Sequence, residues 1–293
     1  MSGQLDTSPE LRRNLLEALR SYLDAPPIQG GRTPLEIEAA LDNDRLSVIS
    51  SQLGPLLSSY LAGGLPVEEF KRKIDGINKK NKLWGFSGIK GQMFFNMLLK
   101  VADDVDELET QLKSAIREPV SEGAAAAAIN NFISYVTRIG QQFVDGGGDK
   151  YSKPKAGSIP FFLSYFWQVQ KPQVWPVFYT NSVQVIESMN VWDESDDPGK
   201  SYVSYKHLHE ALSKLFSDAA KRPLGLYDVK HVFWFKSGKL LAGASQQTDT
   251  EAPEILVMPA EPEPIQKKSQ AVQIALGPPS CRETWDASIA SRP

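Results

Sequence analysis

The sequence predicts a mainly α-helical, multi-helix globular domain over residues 1–237, followed by a disordered tail over residues 238–293. Apolar residues recur at helical spacing, and capping residues followed by proline repeatedly stand where a helix would begin. The stretch "QQTDTEAPEILVMPAEPEPIQKKSQ" is rich in Pro, Glu and Gln, a composition typical of disorder. Glycines near residue 147 leave open a division into two lobes, residues 1–145 and 150–237.

The first helix is predicted from "TSPELRRNLLEALRSYL". Thr7 or Ser8 stands at the N-cap, Pro9 in the first turn and Glu10 at the place of a capping-box partner. The leucines that follow share one helical face.

Three further helices are predicted before residue 82. One begins at Thr33–Pro34, and its continuation is expected to bend at Gly54–Pro55 because proline lacks the amide hydrogen that a helix interior needs. Gly63–Gly64 is expected to stop it. A short helix then starts at Pro66.

Later helices are predicted from caps and apolar periodicity. Asp104 and Ser121 are expected to cap two of them, Ser158 caps "IPFFLSYFWQVQ", and Asn181 or Ser182 starts the next. "KPQVWPVFYTN" is expected to be extended, "DESDDPGKSY" to be a loop and "SYKHLHEALSKLFSDAAK" a helix. Periodicity leaves "YDVKHVFWF" open between a helix and a strand.

Composition limits the classes of function. The net charge of −3 means that attraction to a polyanion must come from a local patch. Cys281 is the only cysteine, so no disulfide framework and no zinc-ligand set are predicted. No segment has the features of a signal peptide or the roughly 20 apolar residues of a membrane span. We therefore expect a cytoplasmic protein with no membrane partner, no metal and no cofactor.

Glycines and lysines gather in "KKNKLWGFSGIKGQMFFNMLLK". Gly85, Gly88 and Gly91 match neither a P-loop nor a dinucleotide-binding fingerprint. Two alternatives remain open: a helix start that binds one phosphate, and a turn that lets the next helix pack closely.

The same region is the most basic part of the chain, running from Lys71 to Lys100 with Asp75 as its one acidic residue. Lysines can neutralise phosphates and a nearby aromatic ring can stack on a base. We predict nucleic-acid binding by Lys79, Lys80, Lys82, Trp84 and Lys90. The alternative is a solvated helix face with its aromatic residues in the core.

A second aromatic cluster lies between residues 160 and 192. Core packing explains most of it. The alternative interpretation is that Trp167, Trp175 and Tyr179 form a pocket for a base.

No set of catalytic residues is predicted. His207, His209 and His231 do not have metal-ligand spacing. Asp228 and Lys230 give the D-x-K half of a metal-dependent nuclease signature, but no upstream acidic partner is evident.

Three phrases, "LWGFSGIKGQMFFNML", "IPFFLSYFWQVQKPQVWPVFYTNSV" and "GLYDVKHVFWF", together resemble a helical module at the front of prokaryotic defence proteins, including those fused to McrB-like AAA+ restriction ATPases. The resemblance covers about residues 70–236. It implies that this module recognises DNA or a partner as a sensor or specificity part, and that the fused domain carries the activity. No Walker motif or nuclease domain follows in this chain.

The resulting hypothesis is a non-catalytic module of a restriction or antiphage system that binds DNA and works with a separate ATPase or nuclease effector. A helical protein-interaction or regulatory module without nucleic-acid binding is the alternative. A nuclease based on Asp228 and Lys230 is the third hypothesis.

Overall fold

The computed structural model describes residues 8–28, 30–192 and 194–238. Their regular structure is helical and they contain no β-strand, which confirms the predicted fold class. The α-helices in this part of the chain are α1 (Pro9–Leu23), α2 (Pro34–Val48), α3 (Gly54–Leu61), α4 (Val67–Asn81), α5 (Phe94–Val101), α6 (Val105–Ile116), α7 (Glu122–Asp145), α8 (Ile159–Gln170), α9 (Thr180–Ser188), α10 (Pro198–Ala220) and α11 (Leu226–Lys236).

Side-chain caps begin several of these helices as predicted. Ser8, Thr33, Asp104 and Ser121 each accept a hydrogen bond from a backbone N–H of the first turn. The capping box is at Thr33, because Glu36 reaches back to its backbone N–H at 2.8 Å. Such reciprocal bonds satisfy two amides that the helix leaves unpaired.

Other predicted details of the helix starts were wrong. Glu10 is the second residue of α1, one position too early for a capping box with Ser8. Ser158 precedes α8 but makes no side-chain cap. Helix α9 begins at Thr180 rather than at Asn181 or Ser182, and α10 begins at Pro198 inside the predicted loop, where Asp197 caps it.

Two π-helical turns interrupt the pattern, at Ile49–Leu53 and Ile89–Met93. The first joins α2 to α3 directly before Gly54–Pro55, where the sequence predicted a bend. Pro55 has no amide hydrogen to donate to the preceding turn, and a π-helical turn is one way for the backbone to accommodate this loss.

Helix α8 lies at the centre of the fold. All of its residues except Gln170 are buried, and it packs against α6, α7 and α10. A helix that is apolar on every side is stable only when other elements surround it. The hydrophobic core is continuous from Leu15 in α1 to Phe233 in α11.

The predicted lobes share this core, since α7 packs against α10. The division into two lobes stays a prediction. The predicted disordered tail lies outside the described residues except for Gly238. Among the described helices, none has the length and apolar character needed to span a lipid bilayer.

The segment "YDVKHVFWF" is helical and forms most of α11. This last helix packs against α1, α2, α9 and α10. The contact between α2 and α11 brings charged residues that are far apart in the sequence together in the interior.

Candidate functional site

Three of the predicted nucleic-acid-binding residues form a lysine patch, which we define as Lys79, Lys80 and Lys82. Lys79 and Lys80 lie in the last turn of α4, and Lys82 is its C-cap in the left-handed conformation, with φ of 53°. All three side chains are exposed, and none has an ion pair with the described residues. Positive side chains are favourable at this end of a helix, because its unpaired backbone carbonyls carry partial negative charge.

Three other basic residues of the segment are paired with carboxylates on α4, whereas Lys100 is exposed and has no ion pair with the described residues. Lys71 Nζ is 2.6 Å from Asp75 Oδ2, and Lys73 Nζ is 2.8 Å from Glu69 Oε1. Arg72 also faces Glu69, at 3.8 Å. These pairs follow from the spacing of three and four residues on one helix face. The free positive surface in the described structure is therefore smaller than the sequence indicated.

Lys90 and Trp84 do not extend the patch. Lys90 is half-buried and its ammonium group donates a hydrogen bond to Thr180 Oγ1. Trp84 is only 1% exposed, and its indole N–H donates to Gln168 Oε1 at 3.2 Å. A base bound to the surface lysines therefore has no exposed indole face at Trp84 on which to stack.

The residues of the suggested base pocket separate in the structure. Trp167 is fully buried and its indole N–H donates to Ala115 O at 3.0 Å. Trp175 is buried beside Trp167 and Tyr202, so both tryptophans pack in the core. Tyr179 instead lines a different pocket, together with Trp84.

The glycine-rich turn has a clear packing role. A Cβ atom at Gly91 would lie 2.1 Å from Phe86 O, so only glycine fits there. Gly85 has φ of 67°, in the left-handed region that favours glycine. These two glycines let the chain fold back tightly before α5; the packing alternative, which named Gly88 and Gly91, is supported at Gly91, whereas Gly88 has an ordinary φ of −88°.

An aromatic and cationic pocket lies where α2, the 83–85 turn and α11 meet. It is partly open to solvent and has a volume of about 20 Å³, which is room for about one water molecule. Its lining residues are Arg45, Leu83, Trp84, Gly85, Tyr179, Lys230 and Trp234.

A buried charge cluster stands beside this pocket. Helix α2 supplies Glu38, Asp42 and Arg45, which share one face because they are four and three residues apart. Helix α11 supplies Lys230 and His231. The carboxylate of Asp42 is partly buried and the other four side chains are almost fully buried.

His231 is central to the cluster. Its Nδ1 lies 2.7 Å from Glu38 Oε2, and its Nε2 lies 2.7 Å from Asp42 Oδ2. Nδ1 also lies 3.3 Å from Lys230 Nζ, so this ring nitrogen faces an ammonium group as well as a carboxylate.

Arg45 and Lys230 complete the cluster. Arg45 donates through Nε to Leu83 O at 3.0 Å and through Nη1 to Asp42. Lys230 Nζ is 3.6 Å from Glu38 Oε2. Five ionisable groups in one interior position are costly unless they are paired, so such clusters mark candidate functional sites.

The cluster shifts the pKa values of its members. Burial alone would raise the pKa of Glu38, but the charges of Lys230 and His231 outweigh it and hold that pKa far below its usual range. Burial would also raise the pKa of Asp42, but the hydrogen bond to His231 and the charges around Asp42 together lower it. Burial lowers the pKa of Lys230, since the ammonium form loses its hydration.

Glu38, Asp42 and His231 also have the spacing of a metal site, since their ligand atoms all lie within 4.8 Å of one another. However, Arg45 and Lys230 already direct positive charge at the two carboxylates. A metal ion would have to overcome repulsion from these two cations. We therefore do not assign a metal to this cluster.

A second charged cluster lies between α7 and α10. Lys206 Nζ contacts Glu122 and Glu210, and His207 Nε2 is 2.8 Å from Glu122 Oε2. The carboxylates raise the pKa of Lys206 despite the opposing effect of burial. The side chains of Glu122, Glu210 and His207 in this cluster are more exposed than those of the first cluster.

The charge cluster was missed by sequence reasoning. The available signal was the spacing of Glu38, Asp42 and Arg45 on a helix that also carries apolar residues. Lys230 was considered only with Asp228, and the structure separates their roles: Asp228 accepts a hydrogen bond from Gly225 N at 2.7 Å and so caps α11.

Comparison of the chain with protein-family models, curated protein sequences and solved structures found no match.

Proposed function

We propose that the protein is a non-catalytic nucleic-acid-recognition module whose lysine patch contacts backbone phosphates. The observation that carries this proposal is the exposure of Lys79, Lys80 and Lys82, without an ion pair to any described carboxylate. Three cations within four residues would release counterions from a phosphate backbone on binding. This contribution does not depend on base sequence.

The proposed setting is a prokaryotic restriction or antiphage system. Its basis is the resemblance of the phrases at residues 83–98, 159–183 and 225–235 to the front modules of McrB-like defence proteins. In such a system this chain would act as a sensor, and a separate ATPase or nuclease would act on the nucleic acid.

The test is the binding of the full-length protein to single-stranded and duplex DNA, measured by fluorescence anisotropy at several salt concentrations. Replacement of all three patch lysines by glutamine should weaken binding. It should also reduce the slope of log affinity against log salt by about 2 for single strands and about 3 for duplex, since each lost phosphate contact changes the slope by about 0.7 or 0.9.

A matched control variant replaces Lys150, Lys153 and Lys155 by glutamine. These three lysines are also exposed and lie within six residues, so the change in net charge is the same. We expect this control to retain most of the affinity. Equal losses in the two variants would show that binding follows net charge alone, and an absence of binding would favour the protein-interaction alternative.

A further inference from the structure

A larger pocket, which we call the α1 pocket, lies at the surface where α1 meets the ends of α9 and α11. Its volume is about 480 Å³, within the range of roughly 300–1,000 Å³ typical of small-ligand sites. One face of α1 lines it, through Asn14, Glu17, Ala18 and Ser21. No member of the charge cluster or of the lysine patch lines it.

Two opposite charges line the α1 pocket. Glu17 is an exposed residue of α1, and Lys236 is the exposed last residue of α11. Neither forms an ion pair with any described residue, so their charged atoms are more than 4.0 Å apart. The pocket therefore offers a carboxylate and an ammonium group that are not in direct contact with each other.

Two helix ends add to the negative side of the pocket. Helix α9 ends at Ser188 and α11 ends at Lys236, and both residues line it. The last backbone carbonyls of a helix carry partial negative charge, which attracts a cationic group. A ligand ammonium group is thus favoured by these carbonyls as well as by Glu17. Lys236 is the one cationic side chain among the lining residues, so a ligand carboxylate would bind there.

The α1 pocket also has an apolar surface. Ala18 is buried, and Met189 and Phe235 are half-buried. The ring of Phe235 lies 5.8 Å from the ring of Tyr22, a contact that supports it from the protein side. The flexible thioether of Met189 can adapt to apolar groups of different shapes. This surface suits a compact apolar group between the two charges.

Two amide side chains complete the lining. Asn14 and Asn190 are exposed and make no side-chain hydrogen bond to the described residues. Each amide has two N–H donors and one carbonyl acceptor. They can therefore donate to a ligand carboxylate or accept from a ligand ammonium group.

We propose that the α1 pocket binds a free α-amino acid with an apolar side chain. The ammonium group is placed at Glu17 and the helix ends, the carboxylate at Lys236, and the side chain against Met189 and Phe235. A neutral sugar could use the amides but would leave both charges without a partner, so a zwitterion matches the pocket better. This inference does not depend on the proposed nucleic-acid binding.

The test measures binding to the full-length protein by calorimetry. The probes are L-phenylalanine, phenethylamine, which lacks the carboxylate, and 3-phenylpropionate, which lacks the ammonium group. We expect phenylalanine to bind at least tenfold more tightly than either analogue. Equal affinities for the three compounds would overturn the proposal, as would an absence of phenylalanine binding at millimolar concentration.

Substitutions then assign the two charges. Glu17→Gln should remove the preference for phenylalanine over 3-phenylpropionate, and Lys236→Gln should remove the preference over phenethylamine. Both side chains are exposed, so the variants should fold, which circular dichroism would check. The matched controls are Glu10→Gln and Lys214→Gln, at exposed positions outside the pocket. Equal effects of the pocket substitutions and their controls would reject the pocket as the site.

A second measurement needs no variant that alters the charges. In protein labelled with ¹³C at the methionine methyl groups, phenylalanine should shift the NMR signal of Met189. Met93 is also accessible, at 41% exposure, but lies outside the pocket and should shift less. Shifts confined to other methionines would contradict the proposal. The triple glutamine variant of the lysine patch should bind phenylalanine as the wild type does, so failure of one proposal is distinguishable from failure of the other.

Discussion

His231 Nε2 and Asp42 Oδ2 lie 2.7 Å apart, although the two residues are 189 positions apart in the sequence. This contact joins α11 to α2 in the interior. It also places an imidazole where its other nitrogen meets Glu38. The contact thus adds a polar link to the hydrophobic packing that joins α11 to the first helices.

Replacement of His231 by alanine should therefore destabilise the protein strongly. Glu38 and Asp42 would lose their shared partner, and removal of one member of a buried ion pair typically costs about 3–5 kcal/mol. Urea unfolding would measure the loss. The control is His207→Ala, since His207 pairs with Glu122 nearer the surface and should cost about 1 kcal/mol or less. Similar losses would contradict the central role of His231.

The pH dependence of stability should report on a different histidine, His209. It is fully buried, and burial lowers its pKa to about 4 from an ordinary value near 6.5. Between these values the unfolded chain binds a proton that the folded protein excludes, so stability falls as pH falls from about 6.5 to 4. The expected loss from this group is about 3 kcal/mol.

The measurement is the free energy of unfolding at several pH values for the wild-type protein and for His209→Gln, which does not titrate in this range. The curve of the variant should be flatter between pH 6.5 and 4. Parallel curves would show that other groups dominate this interval.

Glu38 should change the pH dependence of the free energy of unfolding at lower pH than His209 does. Its folded-state pKa is lowered, so its contribution to stability is present above its unfolded pKa, near 4.3, and is lost as pH falls toward the folded value. Glu38→Gln should therefore differ most from the wild type near neutral pH, and the difference should shrink in acid. Glu10→Gln, at an exposed position, is the control and should follow the wild type throughout.

Two glycine-to-alanine substitutions should change the stability of the protein in opposite directions. At Gly91 a Cβ would meet Phe86 O at 2.1 Å, so Gly91→Ala forces the turn open and lowers the melting temperature. At Gly76, inside α4, a Cβ meets nothing within 4 Å. Gly76→Ala should stabilise the protein by about 0.5–1 kcal/mol, because alanine has the better helix propensity. Destabilisation of equal size at both positions would contradict the packing role of Gly91.

The sequence predicted those parts of the fold that local chemistry determines. Thr33 and Ser121 could be recognised as caps because a cap acts on an amide three residues away. Ser158 could not be judged in this way, because whether its hydroxyl reaches the α8 backbone depends on the conformation of the turn before it.

The candidate site was harder to predict because its residues meet only after folding. Lys79, Lys80 and Lys82 could be identified from their concentration, and the pairs Lys71–Asp75 and Lys73–Glu69 follow from a spacing of four residues on one helix. The charge cluster requires α2 and α11 to be adjacent. No periodicity within either helix carries that information.

The contact between α2 and α11 has a consequence during synthesis. Glu38 and Asp42 leave the ribosome long before His231 and Lys230 are translated, so Arg45 is their only partner from this cluster until α11 emerges. Chains that terminate early, before residue 226, would lack both compensating cations of α11. Such products should not form a fully packed core. They are expected to be preferred substrates of cellular proteases.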